Sequence, residues 1–443
     1  MRCGCLFLLS FFLPLWAWAG RPAFKAFRVS KVHLNKAVYA AGDELTIMMD
    51  QACVADSVRA KKSFTNPFLL AKHKASGRLQ FEAITVQLTM NLSREDILAS
   101  ANENPCVIGV TENARVYTQG DPLQAQQMHL PAISFDRAEK FFFHPLFGIR
   151  APVTIAVVDS GVQMDHPDLA PRMWTGSSSE RGVDFVNNDA DPSDDFGHGT
   201  HVSGLICAQK DNGLGIRGIM GEWSKLMAVK TQDASGMSDM ARVINGILWA
   251  VDHGAEVINL SLSSKSENAL LQDALEYALD HAVTVVAASG NDGEEITAAN
   301  FVSPVGYAKD LSGVIGVGAI DYTTFNRANY SNYSASYVEI AAPASHGVDG
   351  LMSTYPGSTY KLEAGTSMAA PQVAGAAALI KGFMKSRSTN VTPAQIEDYI
   401  EASAIQNSQN FPFFVHGRSL NLENLSILIF NSTVIDSGGG FDE

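Results

Sequence analysis

Three short stretches far apart in the chain carry residue types that together activate a hydroxyl. They are Asp159-Ser160-Gly161, His198-Gly199-Thr200-His201 and Gly365-Thr366-Ser367-Met368-Ala369-Ala370-Pro371. A serine hydroxyl is a poor nucleophile until a base takes its proton. Ser367 follows Gly365-Thr366 and precedes a small, apolar run, Ala369–Leu379, so it should sit at the start of a helix. There its hydroxyl would be exposed, and the unpaired N–H groups of the first turn would face an anion. His198 is the candidate base, since an imidazole changes charge near neutral pH. Asp159 would accept the other imidazole N–H, fix its tautomer and stabilise the imidazolium. Acyl transfer also creates an oxyanion that preset donors must hold. Asn291, delivered by Ser289-Gly290-Asn291 after the run Val283–Ala288, and the backbone N–H of Ser367 are the candidate pair.

Taken singly, each stretch has a plainer reading as a turn, a cap or a loop. His198 and His201 could also be two metal ligands one helical turn apart. No Glu stands between them in the His-Glu-x-x-His manner, however, and no third ligand is evident. The order Asp, His, Ser also differs from the esterase-type pattern, in which a Gly-x-Ser-x-Gly serine precedes its Asp and His.

These residues need elements to position them. Apolar, β-branched runs at Val153–Val158, Leu226–Val229, Val257–Leu262, Val283–Ala287 and Val314–Val317 alternate with helical stretches at Met237–Asp252, Asn268–His281 and Ser367–Met384. That alternation predicts an α/β fold with a mostly parallel, doubly wound sheet covered on both faces. Functional residues of such sheets gather beyond the carboxyl ends of strands. Asp159, Ser263 and Asn291 each follow a run. Thr392-Pro393-Ala394 opens a later helix with a cap and a proline in its first turn. Ahead of this domain, Leu79–Thr89 and Val107–Tyr117 read as strands around a helix beginning at Ser93-Arg94-Glu95-Asp96, a small α+β module. Glu44–Asp50 could add a strand, and residues 20–75 otherwise say little.

A chain of 443 residues carrying 46% hydrophobic and 18% charged residues should fold as at least two units. A net charge of -14 argues against phosphate-backbone recognition, so no nucleic-acid partner is expected. Met1-Arg2, the apolar Cys5–Trp16 and Ala17-Trp18-Ala19 read as a signal peptide cleaved after Ala19, which predicts a secreted, soluble protein. The apolar run is shorter than about 20 residues and is broken by Pro14, so a membrane anchor is not expected. Cleavage leaves Cys53, Cys106 and Cys207, enough for one bridge. Cys53 and Cys106 could pair, while Cys207 lies in an apolar helical stretch and reads as an inert buried thiol.

After about Leu79 the chain resembles the subtilisin-like serine proteases, the subtilases. Val157-Val158-Asp159-Ser160-Gly161-Val162 with His166-Pro167-Asp168-Leu169, His198–Gly204, Ile258–Leu262, Ser289-Gly290-Asn291 and Gly365–Pro371 carry the resemblance. It implies a secreted serine endopeptidase with catalytic Asp159, His198 and Ser367, and with Asn291 in the oxyanion hole. It also implies a self-processing precursor: a signal at 1–19, a propeptide at 20–122 whose 79–117 segment is the inhibitor module, and a catalytic domain at 123–443. Self-cleavage is expected after Tyr117 and before about Gln127. A catalytically silent relative acting as a binding or folding module is the alternative.

Substrate in the family lies extended between two strands, which implies roles for Gly236 and Met237 on one side and for Ser261, Leu262 and Ser263 on the other. Ser263-Ser264 stands where many members have Gly-Gly. Val302 and Ser303 should line the same pocket ahead of Pro304, which is cis in relatives, and Asp292, Glu294 and Glu295 would favour a basic residue before the scissile bond. The resemblance also implies structural calcium (Ca2+), held by Asp168 and by Asp211 and Asn212 of the loop Gln209–Ile216. A second acidic cluster, Asn187, Asp189, Asp191, Asp194 and Asp195, reads either as a solvated loop or as a weak ion site. The expected partners are polypeptide substrates and the chain's own propeptide as inhibitor, and the expected state is a monomer.

Overall fold

The computed structural model describes residues 44–50, 81–87, 107–112 and 120–436. The chain divides into two compact units, Met1–Val116 and Tyr117–Glu443. In the first, strands β1 (Glu44–Asp50), β2 (Phe81–Gln87) and β3 (Val107–Glu112) form an antiparallel sheet in the order β2-β1-β3. All three had strand signals in the sequence. Cys53, Cys106 and the helix beginning near Ser93 lie outside the described residues.

The second unit is built on a nine-stranded sheet. Its middle comprises β4 (Val153–Asp159), β5 (Gly182–Asp184), β6 (Ser224–Lys230), β7 (Val257–Leu260), β8 (Thr284–Ala288), β9 (Val314–Asp321) and β10 (Ile340–Ser345). They run parallel in the order β10-β9-β8-β7-β4-β6-β5. A hairpin, β11 (Leu351–Tyr355) with β12 (Thr359–Glu363), stands apart from the sheet. Short strands β13 (Ile405–Gln406) and β14 (Arg418–Ser419) extend the sheet edge beside β10.

Central β4 shows why the pattern reads as a continuous apolar run. All seven of its residues are buried. Ile155 and Val157 join one hydrophobic cluster, Ala156 and Val158 the cluster on the other face. Successive side chains point to opposite faces, so a strand covered on both sides needs apolar residues throughout. One face carries α1 (Phe135–Phe142), α2 (His198–Cys207) and the later helices; the other carries α3 (Met240–Asp252) and α4 (Ala269–Asp280).

Helix α3 begins at Met240 rather than Met237. Asp239 caps it by accepting from the amide of Arg242 at 2.9 Å, which leaves Met237 and Ser238 outside the helix. The remaining helices are α5 (Thr366–Lys385), α6 (Pro393–Ser403) and α7 (Leu422–Asp436). Helix α6 starts on the cap foreseen at Thr392, and Gln395 completes a reciprocal capping box. Cys207 is buried, and burial pushes its thiol pKa up to about 12, as suits an inert side chain. Among the described residues, no helix is long and apolar enough to cross a membrane.

Candidate active site

Parallel β4 ends at Asp159, and its neighbour β6 ends, in register, at Lys230. Asp159 is fully buried, and its Oδ1 accepts from His198 Nδ1 at 2.7 Å and from the amide of Ser160 at 2.7 Å. Burial pushes the His198 pKa down, but the charge and hydrogen bond of Asp159, aided by Glu363 and Asp194, outweigh it. The imidazole is held above its ordinary 6.5.

Two glycines let α2 approach this pair. Gly197 precedes the helix with φ 110°, and a Cβ there would stand 2.5 Å from the Tyr355 ring. A Cβ on Gly199 would meet the Gly161 carbonyl at 2.2 Å. The protein's own packing therefore requires both residues to be glycine.

Helix α5 presents Ser367 in its first turn. Pro371 has no N–H to give the carbonyl of Ser367, which instead accepts from Ser261 Oγ at 2.9 Å. Ser367 Oγ donates to the Ser261 carbonyl at 3.3 Å. Asn291 Oδ1 accepts from the amide of Thr366 at 2.8 Å and from its hydroxyl at 3.1 Å. With its oxygen so committed, the amide nitrogen of Asn291 is free to serve as a donor. His198, Ser367 and Asn291 all line one cleft of about 480 Å³.

Gly236, Met237, Ser261, Leu262, Ser263 and Ser303 line the same cleft. Val302 does not. It is 1% exposed and packs with Ala287, Ile296, Val305 and Ile320, because the strand-like pairing of Ser303 with Ser264 turns the preceding side chain inward. The Ser303–Pro304 bond is cis. Of the expected acidic rim, Glu294 pairs with Lys265 at 2.9 Å and Asp292 lies 3.4 Å from the same Lys265 Nζ, all about half exposed.

Several supporting residues escaped the sequence reading. Asp194, placed there in an ion-binding or solvated cluster, accepts instead from Ser160 Oγ, the amides of Phe196, Gly197 and Thr200, and the Thr200 hydroxyl. It thereby fixes the start of α2 against the Asp159 turn. Lys230, 1% exposed, donates to the carbonyls of Ser160 and Gln232 and pairs with Asp195 at 2.5 Å. Asn187 bonds to Asp184, and Ser193 to Asp191. His201 Nε2 lies 3.0 Å from the carbonyls of both Leu351 and Lys361, and among the described residues no group of three or more His, Cys, Asp or Glu ligands includes it or His198.

The loop after α2 has oxygen donors of another kind. Asp168 is fully buried, and its carboxylate accepts from Asn212 Nδ2 (2.7 Å), the Ile216 amide (3.2 Å) and the Tyr360 hydroxyl (2.8 Å). Asp121, 4% exposed, accepts from the amides of Asp211 and Asn212. Burial raises the Asp121 pKa; those amides oppose the shift, and the charges of Asp211 and Asp168 add to it. Neither Asp121 nor Asp168 has a Lys, Arg or His ion-pair partner among the described residues. The Asp211 side chain turns to Lys210 at 3.4 Å, while its amide donates to Asp121 at 2.9 Å.

Comparison with known proteins agrees with this architecture. Residues 150–422 match the subtilase family, peptidase S8. Thermitase of Thermoactinomyces vulgaris is 42% identical over 264 residues, covering 60% of this chain and 85% of that protein. Subtilisin J of Geobacillus stearothermophilus is 32% identical over 385 residues, covering 85% and 90%. A thermophilic serine proteinase of Bacillus sp. strain AK1 is 39% identical over 265 residues, and the chain spans 59% of its length. The crystal structure of a cold adapted subtilisin-like serine proteinase superposes with TM-score 0.51 at 29% identity, covering 61% of this chain and 89% of the other. Family match, relatives and sheet architecture point the same way: the chain belongs to the subtilase family and is a subtilisin-like serine endopeptidase.

Proposed function

We propose that the protein is a secreted, self-processing endopeptidase whose chemistry is carried by Asp159, His198, Ser367 and Asn291. The observation that carries this reading is the buried Asp159–His198 pair under a cleft that Ser367 also lines. Attack requires Ser367 Oγ, which here donates to the Ser261 carbonyl at 3.3 Å, to turn toward His198 Nε2 in the substrate complex, where catalytic hydrogen bonds tighten. His198 takes the hydroxyl proton as Ser367 attacks the peptide carbonyl, then gives it to the leaving amine. Water releases the acyl group by the reverse sequence. The Asn291 amide and the Ser367 N–H hold the oxyanion; losing one such donor costs about 10²–10³-fold in turnover. A fluorophosphonate probe tests the assignment: Ser367→Ala should abolish labelling, and equal labelling would refute it.

Catalysis needs neutral His198, whose pKa is raised. The acid limb of kcat/KM should therefore lie above pH 6.5, and Glu363→Gln should move it toward lower pH. An unmoved limb would exclude Glu363 as a contributor.

Substrate is read as an added strand between 234–238 and 261–264. The propeptide would occupy this cleft before cleavage. Leu123 donates to the Gly215 carbonyl at 2.7 Å, and Gln127 makes reciprocal bonds with Arg217, so these residues belong to the finished catalytic unit. Because Asp121 is similarly anchored, the mature terminus should fall at or before it. N-terminal sequencing of the exported enzyme checks both this point and cleavage after Ala19.

Asp121, Asp168 and Asn212 are the residues that would hold structural calcium. Two buried carboxylates without a cationic partner and an oxygen-only donor set fit that ion. At a hundred times its dissociation constant, a bound ion adds about 2.7 kcal/mol to stability. Chelation should therefore lower the Tm by roughly 4 °C. The same loss should appear in Asp168→Ala with no further response to chelator.

A further inference from the structure

The cleft's inner lining near Asn291 is uncharged: Ser263, Ser264, Ala288, Gly290 and Ser303. The charged residues Lys265, Asp292 and Glu294 border this part of the lining. Lys265 lies between two lining residues, Ser264 and Ser266, and Asp292 follows lining residue Asn291 on the facing wall. Backbone bonds between Ser264 and Ser303, 2.9 Å in each direction, tie the two walls together. Lys265 Nζ spans them, 2.9 Å from Glu294 and 3.4 Å from Asp292, with all three side chains about half exposed.

We propose that Lys265 sets the charge preference for the residue before the scissile bond, by occupying the two carboxylates that would otherwise attract a cationic side chain. This deepens the proteolytic reading of the cleft and rests on it. With Lys265 in place Asp292 and Glu294 already share a cation, beside a lining that near Asn291 offers hydroxyl, backbone and methyl groups. A Lys or Arg side chain would have to displace Lys265 to gain a partner, whereas a neutral side chain faces no such competitor. Removing Lys265 frees both carboxylates at once.

The test uses two peptide anilides identical except for Phe or Lys before the scissile bond, with mature wild type, Lys265→Ala and the triple variant Lys265→Ala/Asp292→Asn/Glu294→Gln. Wild type should favour Phe. Lys265→Ala should raise the Lys:Phe ratio of kcat/KM about 5- to 10-fold, the scale of one or two exposed charge contacts. The rise should shrink in 0.5 M salt and vanish in the triple variant. If Lys265 merely braces the walls, both substrates slow together and the ratio stays put, which overturns the proposal, as would a wild type already selective for Lys. A wild-type protein that cleaves neither peptide and takes no fluorophosphonate would instead defeat the proteolytic reading itself.

Discussion

Ser367→Ala should lower kcat by about 10⁶-fold, the loss found on removing the nucleophile of subtilisin itself. His198→Ala should cost about as much, and the double variant scarcely more. A base with no hydroxyl to deprotonate and a hydroxyl with no base are the same defect. Asp159→Asn should fall less far, to about 10⁴-fold, because an imidazole in the wrong tautomer is still an imidazole. Active-site-titrated kcat values on one peptide anilide check this ordering. Fully additive losses would mean that the three groups do not act as a unit. A Ser367→Ala enzyme retaining even 1% of activity would remove Ser367 from the mechanism. The same variant reports on maturation: a precursor that still shortens normally is cut by another protease.

The parts of this site legible in the sequence share one property: local order forces them. β4, β6, β7, β8 and β9 were readable because burial on both faces leaves little room for polar residues, and Asp159 and Asn291 follow where such runs stop. Ser367 was readable because glycine, threonine and a small apolar run describe a helix start that a backbone must approach closely. Hairpin β11–β12 was not. Thr359–Glu363 is partly or largely exposed and shows no apolar alternation, yet it supplies Tyr360 to Asp168 and the Lys361 carbonyl to His201.

Asp121 and Lys230 were missed for another reason. Each is an ordinary polar residue by type, and its role exists only through partners about 90 and 70 residues away in the chain. Val302 failed because pocket membership depends on which way one side chain turns at the Ser264–Ser303 bridge, and spacing from Asn291 does not encode that. Long-range polar contacts carry no periodicity for a reader to find.

His129 is the largest such surprise, and it predicts that acid selectively weakens the fold. Part of a Gln-rich connector in the sequence, it is fully buried in a helical turn, His129–Ala132, and neither ring nitrogen has a hydrogen-bond partner. Burial, with the nearby charge of His201, drives its pKa down to about 3. His201 is driven down to about 4, chiefly by burial, with Glu363 and the Lys361 carbonyl opposing. Both are neutral when folded, whereas in the unfolded chain each takes a proton near pH 6.5. Their contribution is thus fully present above pH 6.5 and is lost as pH falls toward 4. At about 1.4 kcal/mol per pH unit and per group, the pair loses ~6 kcal/mol by pH 4, comparable with the whole stability of many domains.

Glu339 and Glu397 work in the opposite sense. Both are buried, bonded to each other and to the amides of Gly316 and Gly313, and their pKa values are raised, chiefly by burial. What they contribute is present below pH 4.5 and lost as pH rises toward about 7. Single variants separate the two slopes. Urea unfolding of enzyme inactivated at Ser367 by a sulfonyl fluoride, from pH 4 to 8, excludes autolysis. Relative to wild type, His129→Leu should gain ~3 kcal/mol between pH 7 and pH 4, and Glu397→Gln should gain as pH rises from 5 to 8. Curves that run parallel to wild type across the range would show that neither group is buried in the ionisation state assigned to it.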